Sequence, residues 1–136
     1  LKKKVLLSVF ALFFILTICG SVSADNNTTE RVSISTNGSA SNGYSFEPSI
    51  SADGRYVAFS SYADNLVTGD NNWFSDIFVR GRLLNITERV SVSSTGGEIN
   101  LESGEPSISA NGRYVAFVSG IIRPKSCQFQ CIYYWR

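Results

Sequence analysis

The chain contains no histidine. A Ser-His-Asp triad is therefore excluded, because the residue that takes the serine proton is missing. The three cysteines, Cys19, Cys127 and Cys131, have no histidine to join them and fall short of the four ligands of a structural zinc site. No G-x-S-x-G elbow and no phosphate-binding glycine loop occurs. The apolar run Val5–Ile18 is shorter than the ~20 residues that cross a bilayer as a helix. Positive charge is also sparse. Without Lys2, Lys3 and Lys4, nine basic residues face 11 acidic ones. Without Arg123, Lys125 and Arg136 as well, six face 11, a net charge of −5 over the middle of the chain. No basic stripe remains to follow a nucleic-acid backbone, so no nucleic-acid partner is expected.

What the chain does have is itself, twice. EPSISADGRYVAFSS, Glu47–Ser61, returns as EPSISANGRYVAFVS, Glu105–Ser119, offset by 58 positions without a gap. Upstream, TERVSIS at Thr29–Ser35 returns as TERVSVS at Thr87–Ser93, and 22 of the 33 positions from Thr29 to Ser61 match their partners. Self-similarity at a fixed period marks a repeat architecture. In RYVAFSS one face of an extended strand carries Tyr56, Ala58 and Ser60 and the other Val57 and Phe59, so both faces are expected to be covered. PSIS supplies a short strand before it. Between the two stands Asp53-Gly54, or Asn111-Gly112 in the second copy, a pair suited to a two-residue hairpin turn with positive φ at both positions. The exchange of Asp for Asn keeps the turn chemistry and argues for a backbone role over a catalytic carboxylate. DIFVRGR, Asp76–Arg82, and TERVSVS, Thr87–Ser93, predict a second hairpin. One repeat thus supplies four strands as two hairpins joined by the loop SYADNLVTGDNNWFS. The expected fold is all-β, with antiparallel four-stranded blades of an incomplete β-propeller.

The pattern S-x-S-A-D-G-R-Y-V-A-F-S-S, followed by D-I-F-V-R and T-E-R-V-S, resembles the WD-like propeller repeats of TolB-like proteins over Thr29 to Ser119. The resemblance implies a β-propeller with a binding or scaffolding role and no enzymatic activity or cofactor. The repeat exceeds the ~40–45 residues of an ordinary propeller repeat, and the surplus falls in the loops Asn37–Phe46 and Tyr62–Ser75.

Around the repeats, Lys2-Lys3-Lys4, the apolar run and Val22-Ser23-Ala24 predict a signal peptide over 1–24, cleaved before Asp25, and an exported product with no membrane span after cleavage. Cys19 follows Ile18 where a lipidated cysteine follows a small residue, which argues against lipidation. Residues 25–29 form a polar leader, and the propeller-type repeats occupy 30–119, as 30–87 and an incomplete 88–119. Sequons at Asn26, Asn27, Asn37 and Asn85 are glycosylation acceptors in principle, although such triplets also arise by chance in polar loops. In GDNNWFSD, Asp70, Asn72 and Asp76 offer the hard oxygens that Ca²⁺ takes, but without the spacing of established calcium loops. Turn formation, with Asp76 bound to a backbone N–H or an arginine, is the expected role. Arg55/Arg113 and Glu30/Glu88 recur in both copies and read as blade architecture, because a unique site would appear once.

After Ser119 the repeat gives way to a divergent tail, 120–136, in GIIRPKSCQFQCIYYWR. A shifted reading frame accounts for this. So does a degenerate third strand, since Cys131–Arg136 faintly echoes Asp76–Arg80. Cys127 and Cys131 in one strand would stand ~13 Å apart, beyond bridging distance. Fewer than two blades cannot close a ring of typically 4–8. The expected partners are therefore further blades or a protein, with self-association of the isolated chain through uncovered edges at an orphan outer strand, Glu30–Ser35, and at Tyr114–Ser119. Three functional readings follow: an exported binding or scaffold module belonging to a larger TolB-like protein, a non-functional truncation product, or the accessory propeller of a hydrolase on another chain.

Overall fold

The computed structural model describes residues 28–120 and the strand 129–134. Strands are the only regular elements among the described residues, and the fold is all-β. β1 (Ser45–Ile50), β2 (Tyr56–Ser61), β3 (Asp76–Gly81) and β4 (Ile86–Arg89) form one antiparallel sheet in chain order. β5 (Ser103–Ile108), β6 (Tyr114–Ser119) and β7 (Phe129–Tyr134) form a second. The first sheet is a four-stranded antiparallel blade built from two hairpins, β1–β2 and β3–β4. The second reproduces the first three strands of that plan.

The two copies agree down to their irregularities. β1 starts two residues before the Glu47-Pro48 pair, and its register against β2 breaks between Phe46 and Ser49. β5 breaks against β6 between Gly104 and Ser107. Glu47 (φ +52°) and Glu105 (φ +56°) hold left-handed backbone at these bulges. Each is followed by a proline, which has no N–H to give a ladder and is tolerated at such an interruption.

The hairpin turn differs in kind from the two-residue turn expected of Asp-Gly. Only the glycines, Gly54 (φ +68°) and Gly112 (φ +69°), adopt positive φ. Gly54 N–H bonds Ser51 C=O at 2.9 Å, and Ser51 N–H bonds Tyr56 C=O at 3.0 Å, so four residues form the loop. The aspartate acts through its side chain instead. Asp53 Oδ1 accepts from Ser51 Oγ at 2.7 Å and from Arg55 N–H at 3.0 Å. Asn111 Oδ1 accepts from Ser109 Oγ at 2.8 Å and Arg113 N–H at 3.1 Å. An amide oxygen serves as well as a carboxylate here, which explains the exchange physically.

Two further expectations are corrected. Glu30–Ser35 is not a strand: Ile34 makes a single bridge to Ala40 around a turn, and Val92 to Glu98 repeats it. TERVSVS likewise leaves the sheet after Arg89, so β4 is short. In both copies the chain there turns back on itself, with Ser35 N–H bonded to Ser39 C=O and Ser93 N–H to Gly97 C=O, both at 2.8 Å. β6 is also no open edge, because β7 pairs along its whole length from Tyr114↔Tyr134 to Ser119↔Phe129. The tail therefore does supply a third strand, but not in the register suggested by its echo of Asp76–Arg80. Phe129, two residues before Cys131, stands opposite Ser119 as Asp76 stands opposite Ser61. Cys127 lies outside the described residues.

Both faces of β2 are covered. On one, Ala58 joins Ile77, Val79 and Val90 of the first blade and Ile108, Val115 and Phe117 of the second in one buried cluster, flanked by Tyr56. On the other, Phe59 stacks on Phe78 at 5.9 Å under Ala63 and Leu66 of the β2–β3 loop. Fully burying a side chain of this size contributes about 1.5–3 kcal/mol, and the first cluster places that gain across the seam between blades. The seam also has a backbone bond, Ala52 N–H to Ala110 C=O at 3.0 Å. Beside it the Tyr56 ring lies over Gly112 so closely that a Cβ there would stand 2.3 Å from a ring carbon.

Candidate functional site

The polar loop before β3 and the turn after β4 meet around one arginine. Arg89, the last residue of β4, projects Nη1 to Asp70 Oδ1 at 3.3 Å, Asp76 Oδ2 at 3.2 Å and Glu98 Oε1 at 2.7 Å. Its Nη2 bonds Gly69 C=O at 3.2 Å. Oxygens of the three carboxyl groups lie within 4.8 Å of one another. Asp76, fully buried, also accepts from Ser91 Oγ at 2.5 Å and Asn72 Nδ2 at 3.2 Å. Asn72 Nδ2 bonds Ile99 C=O at 2.8 Å, tying the loop to the following linker.

The electrostatics follow from crowding three acids about one base. Burial, then the neighbouring Asp76 charge, pushes the Asp70 carboxyl up to about 6. Burial raises Asp76 as well, against the opposing pull of Ser91 and Arg89. Glu98 is held low, chiefly by the Asn71 N–H that it accepts at 2.9 Å. Burial pulls the Arg89 guanidinium down, but the bond to Glu98 and the Asp76 and Asp70 charges outweigh it and raise it overall. Of the calcium candidates, Asp70 and Asp76 converge and Asn72 turns its amide nitrogen to Asp76. The position a cation would take is filled by a guanidinium. The arrangement ties a loop, a strand end and the linker to the second blade. It is a structural ion cluster.

The remaining residues singled out from the sequence sit apart from it. Asp53 and Gly54 lie in the first hairpin turn, Asn111 and Gly112 in the second. Asp53 pairs with Arg55 at 2.6 Å, and its carboxyl falls to about 2, chiefly through the Arg55 N–H. Glu30 pairs with Arg82, also at 2.6 Å. Asn37 is exposed on the turn before Ala40, bonded through Oδ1 to Ser35 and Ser39. Asn85 is exposed at the β3–β4 turn with φ +56°, and its Oδ1 accepts from Arg80 Nη2 at 2.9 Å. Asn26, Asn27 and the 1–24 segment lie outside the described residues.

Sequence reasoning missed a second place, a cleft at the seam between the inner strands β1 and β5. A cavity of about 350 Å³ is walled by Phe46, Glu47 and Glu105 from the two bulges, Tyr62 and Ser75 from the β2–β3 loop, and Glu102 before β5. Phe46 and Tyr62 stack at 5.7 Å with 29° between their planes. Glu47 Oε2 crosses the seam to accept Glu105 N–H at 2.7 Å and also takes Ser60 Oγ at 3.1 Å. Glu102 Oε2 accepts Ser75 N–H at 3.1 Å, and the Glu102 carboxylate also accepts the Tyr62 hydroxyl. Burial and the Glu102 charge raise the Tyr62 phenol. The repeat of Glu47 as Glu105 was a visible signal. Tyr62, Phe46 and Glu102 carried none, because their counterparts 58 positions away are Gly120, Gly104 and Tyr44. Arg80 was missed too: it is 2 % exposed, with Nη1 at 3.2 Å from Thr87 Oγ1 and no carboxylate in salt-bridge reach among the described residues.

No protein-family model matches the chain, and a search of curated proteins finds no match.

Proposed function

We propose that the chain is an exported β-propeller-type binding or scaffold module, part of a larger TolB-like repeat protein that mediates protein interactions. The observation that carries this reading is the seam cleft. Two copies of one repeat pack side by side, and Phe46, Tyr62 and Glu102, which differ between the copies, join the repeated Glu47 and Glu105 to wall a recess between β1 and β5. A surface repeated for architecture alone would be the same in each copy. Pairing of β7 with β6 favours a folded second blade over a non-functional remnant. The test is photo-crosslinking from a probe at position 101, beside the cleft, against one at position 83, on the remote β3–β4 turn. A discrete partner crosslinked from 101 alone supports the reading. Equal or absent crosslinking from both positions, or hydrolytic activity in the purified chain, overturns it.

A further inference from the structure

We propose that the seam cleft takes the guanidinium group of an arginine side chain presented by a partner peptide. The inference rests on the binding-module reading above and names what that module recognises. Three carboxylates, Glu47, Glu102 and Glu105, wall the cavity together with Phe46, Tyr62 and Ser75. Glu47 and Glu102 are held in place by neutral donors: backbone N–H groups, Ser60 and Tyr62. Among the described residues no cation pairs with any of the three. Arg55, Arg82 and Arg89 are committed to Asp53, Glu30 and the buried acid cluster. Among the described residues, then, no cation balances the negative charge at this recess. Carboxylates close together behind low-dielectric walls focus a potential that attracts a cation.

A second observation points to an occupant independently of charge. Ser75 is 2 % exposed and borders the cavity, and its hydroxyl has no hydrogen-bond partner among the described residues. A buried polar group left unpaired costs about 1–3 kcal/mol, and a donor entering the recess would satisfy it.

The shape of the recess selects the kind of cation. Among the described residues, carboxylates converge within 4.8 Å as a set of three only around Arg89, so Glu47, Glu102 and Glu105 are spread more widely. A bare metal ion cannot reach separated acceptors together. A guanidinium can, since its five donors lie in a flat fork. It also stacks on aromatic faces, and Phe46 and Tyr62 offer a stacked pair that is 36 % and 47 % exposed. Lysine, a point charge without a plane, uses fewer of these features.

The experiment is calorimetric titration of the full mature chain with acetyl-Gly-Arg-Gly-amide and with its citrulline counterpart, which is neutral but of the same shape. The expected result is saturable binding of the arginine peptide, at least tenfold weaker for citrulline. Glu102→Gln combined with Glu105→Gln should weaken the arginine peptide at least tenfold, with an unchanged circular dichroism spectrum. Asp64→Asn, an exposed acid outside the cleft, controls for net charge and should leave binding within twofold. Equal binding of both peptides overturns the arginine assignment and leaves the binding module standing. Absence of binding to wild type overturns the assignment too, and so does an equal loss in Asp64→Asn. A partner crosslinked beside the cleft whose capture is unchanged in the double variant would likewise defeat this inference without touching the broader reading.

Discussion

Replacing Arg89 with methionine removes one charge and keeps most of the volume. The consequence can be worked from the cluster. Asp70, Asp76 and Glu98 would keep their oxygens within 4.8 Å of one another with no cation among them. Breaking a buried ion pair by deleting one partner costs about 3–5 kcal/mol. Glu98 is partly open to solvent and Asp70 can take a proton, so the lower end applies at pH 7, about 3 kcal/mol. For a domain of this size each kcal/mol moves the midpoint by about 4–8 °C, and the expected loss is roughly 15 °C. The pH dependence separates charge from packing. The Asp70 carboxyl is raised from an ordinary 3.8 to about 6, so its stabilising contribution is full below 3.8 and is lost as pH rises through about 6. Without Arg89 the acids repel more strongly and hold the proton to higher pH. The deficit of the variant should then shrink between pH 7 and pH 5. Urea unfolding at fixed protein concentration at both pH values measures it. A deficit below ~1 kcal/mol at pH 7, or one identical at both pH values, would refute the argument that charge organises this loop.

Gly112→Ala should destabilise more than Gly54→Ala in thermal melts. Both pay for positive φ, but the new methyl meets the Tyr56 ring at 2.3 Å in the first case and only the flexible end of Arg82 at 3.6 Å in the second. Asp53→Asn should be nearly neutral by the same measurement, since Asn111 already makes the equivalent bonds; a large loss would give the carboxylate a role of its own. Mass spectrometry of secreted material should find Asp25 at the N-terminus, and retention of Lys2–Lys4 would contradict export with cleavage. Sedimentation of the mature chain should show concentration-dependent association. Tyr114, Ile50 and Leu83 are all exposed, and β1 is an edge strand largely open to solvent. A concentration-independent monomer with a cooperative melt would remove the need for further blades.

The blade itself was legible because a duplicated strand–turn–strand unit states its pattern twice. Tyr56 and Ala58 on one side and Phe59 on the other separated into two packed faces as alternation requires. Boundaries were less legible where side-chain bonding competes with the ladder. Thr87 Oγ1 donates to Ile34 C=O at 2.5 Å and Thr87 N–H to Thr36 Oγ1 at 3.0 Å, so the segment before β1 spends its polar groups on β4 without joining a sheet. Asp-Gly was read through its backbone preference, whereas Ser51, two residues earlier, recruits the aspartate side chain and sets a longer loop. Asp70 and Asp76 were recognisable as oxygen donors in one loop. An arginine was expected for Asp76 in kind, but not which one, because Arg89 stands at the far end of the next hairpin and Glu98 beyond it. The cleft was illegible for a related reason: Phe46, Tyr62 and Glu102 break the repeat and meet the repeated Glu47 and Glu105 only when two blades pack.

The bond from Ala52 N–H to Ala110 C=O gives this molecule an internal clock for the parting of its blades. Gly54 N–H, two residues on, is bonded within its own turn. Amide hydrogen exchange at Ala52 therefore follows each separation of the second blade from the first, while exchange at Ile77, whose N–H is held by Ser91 Oγ inside the first blade at 3.0 Å, follows the opening of that blade itself. The protection free energy at Ala52 is then the cohesion of one blade for the next, and the further protection at Ile77 is what the first blade holds on its own. It can be read from a single uncleaved chain.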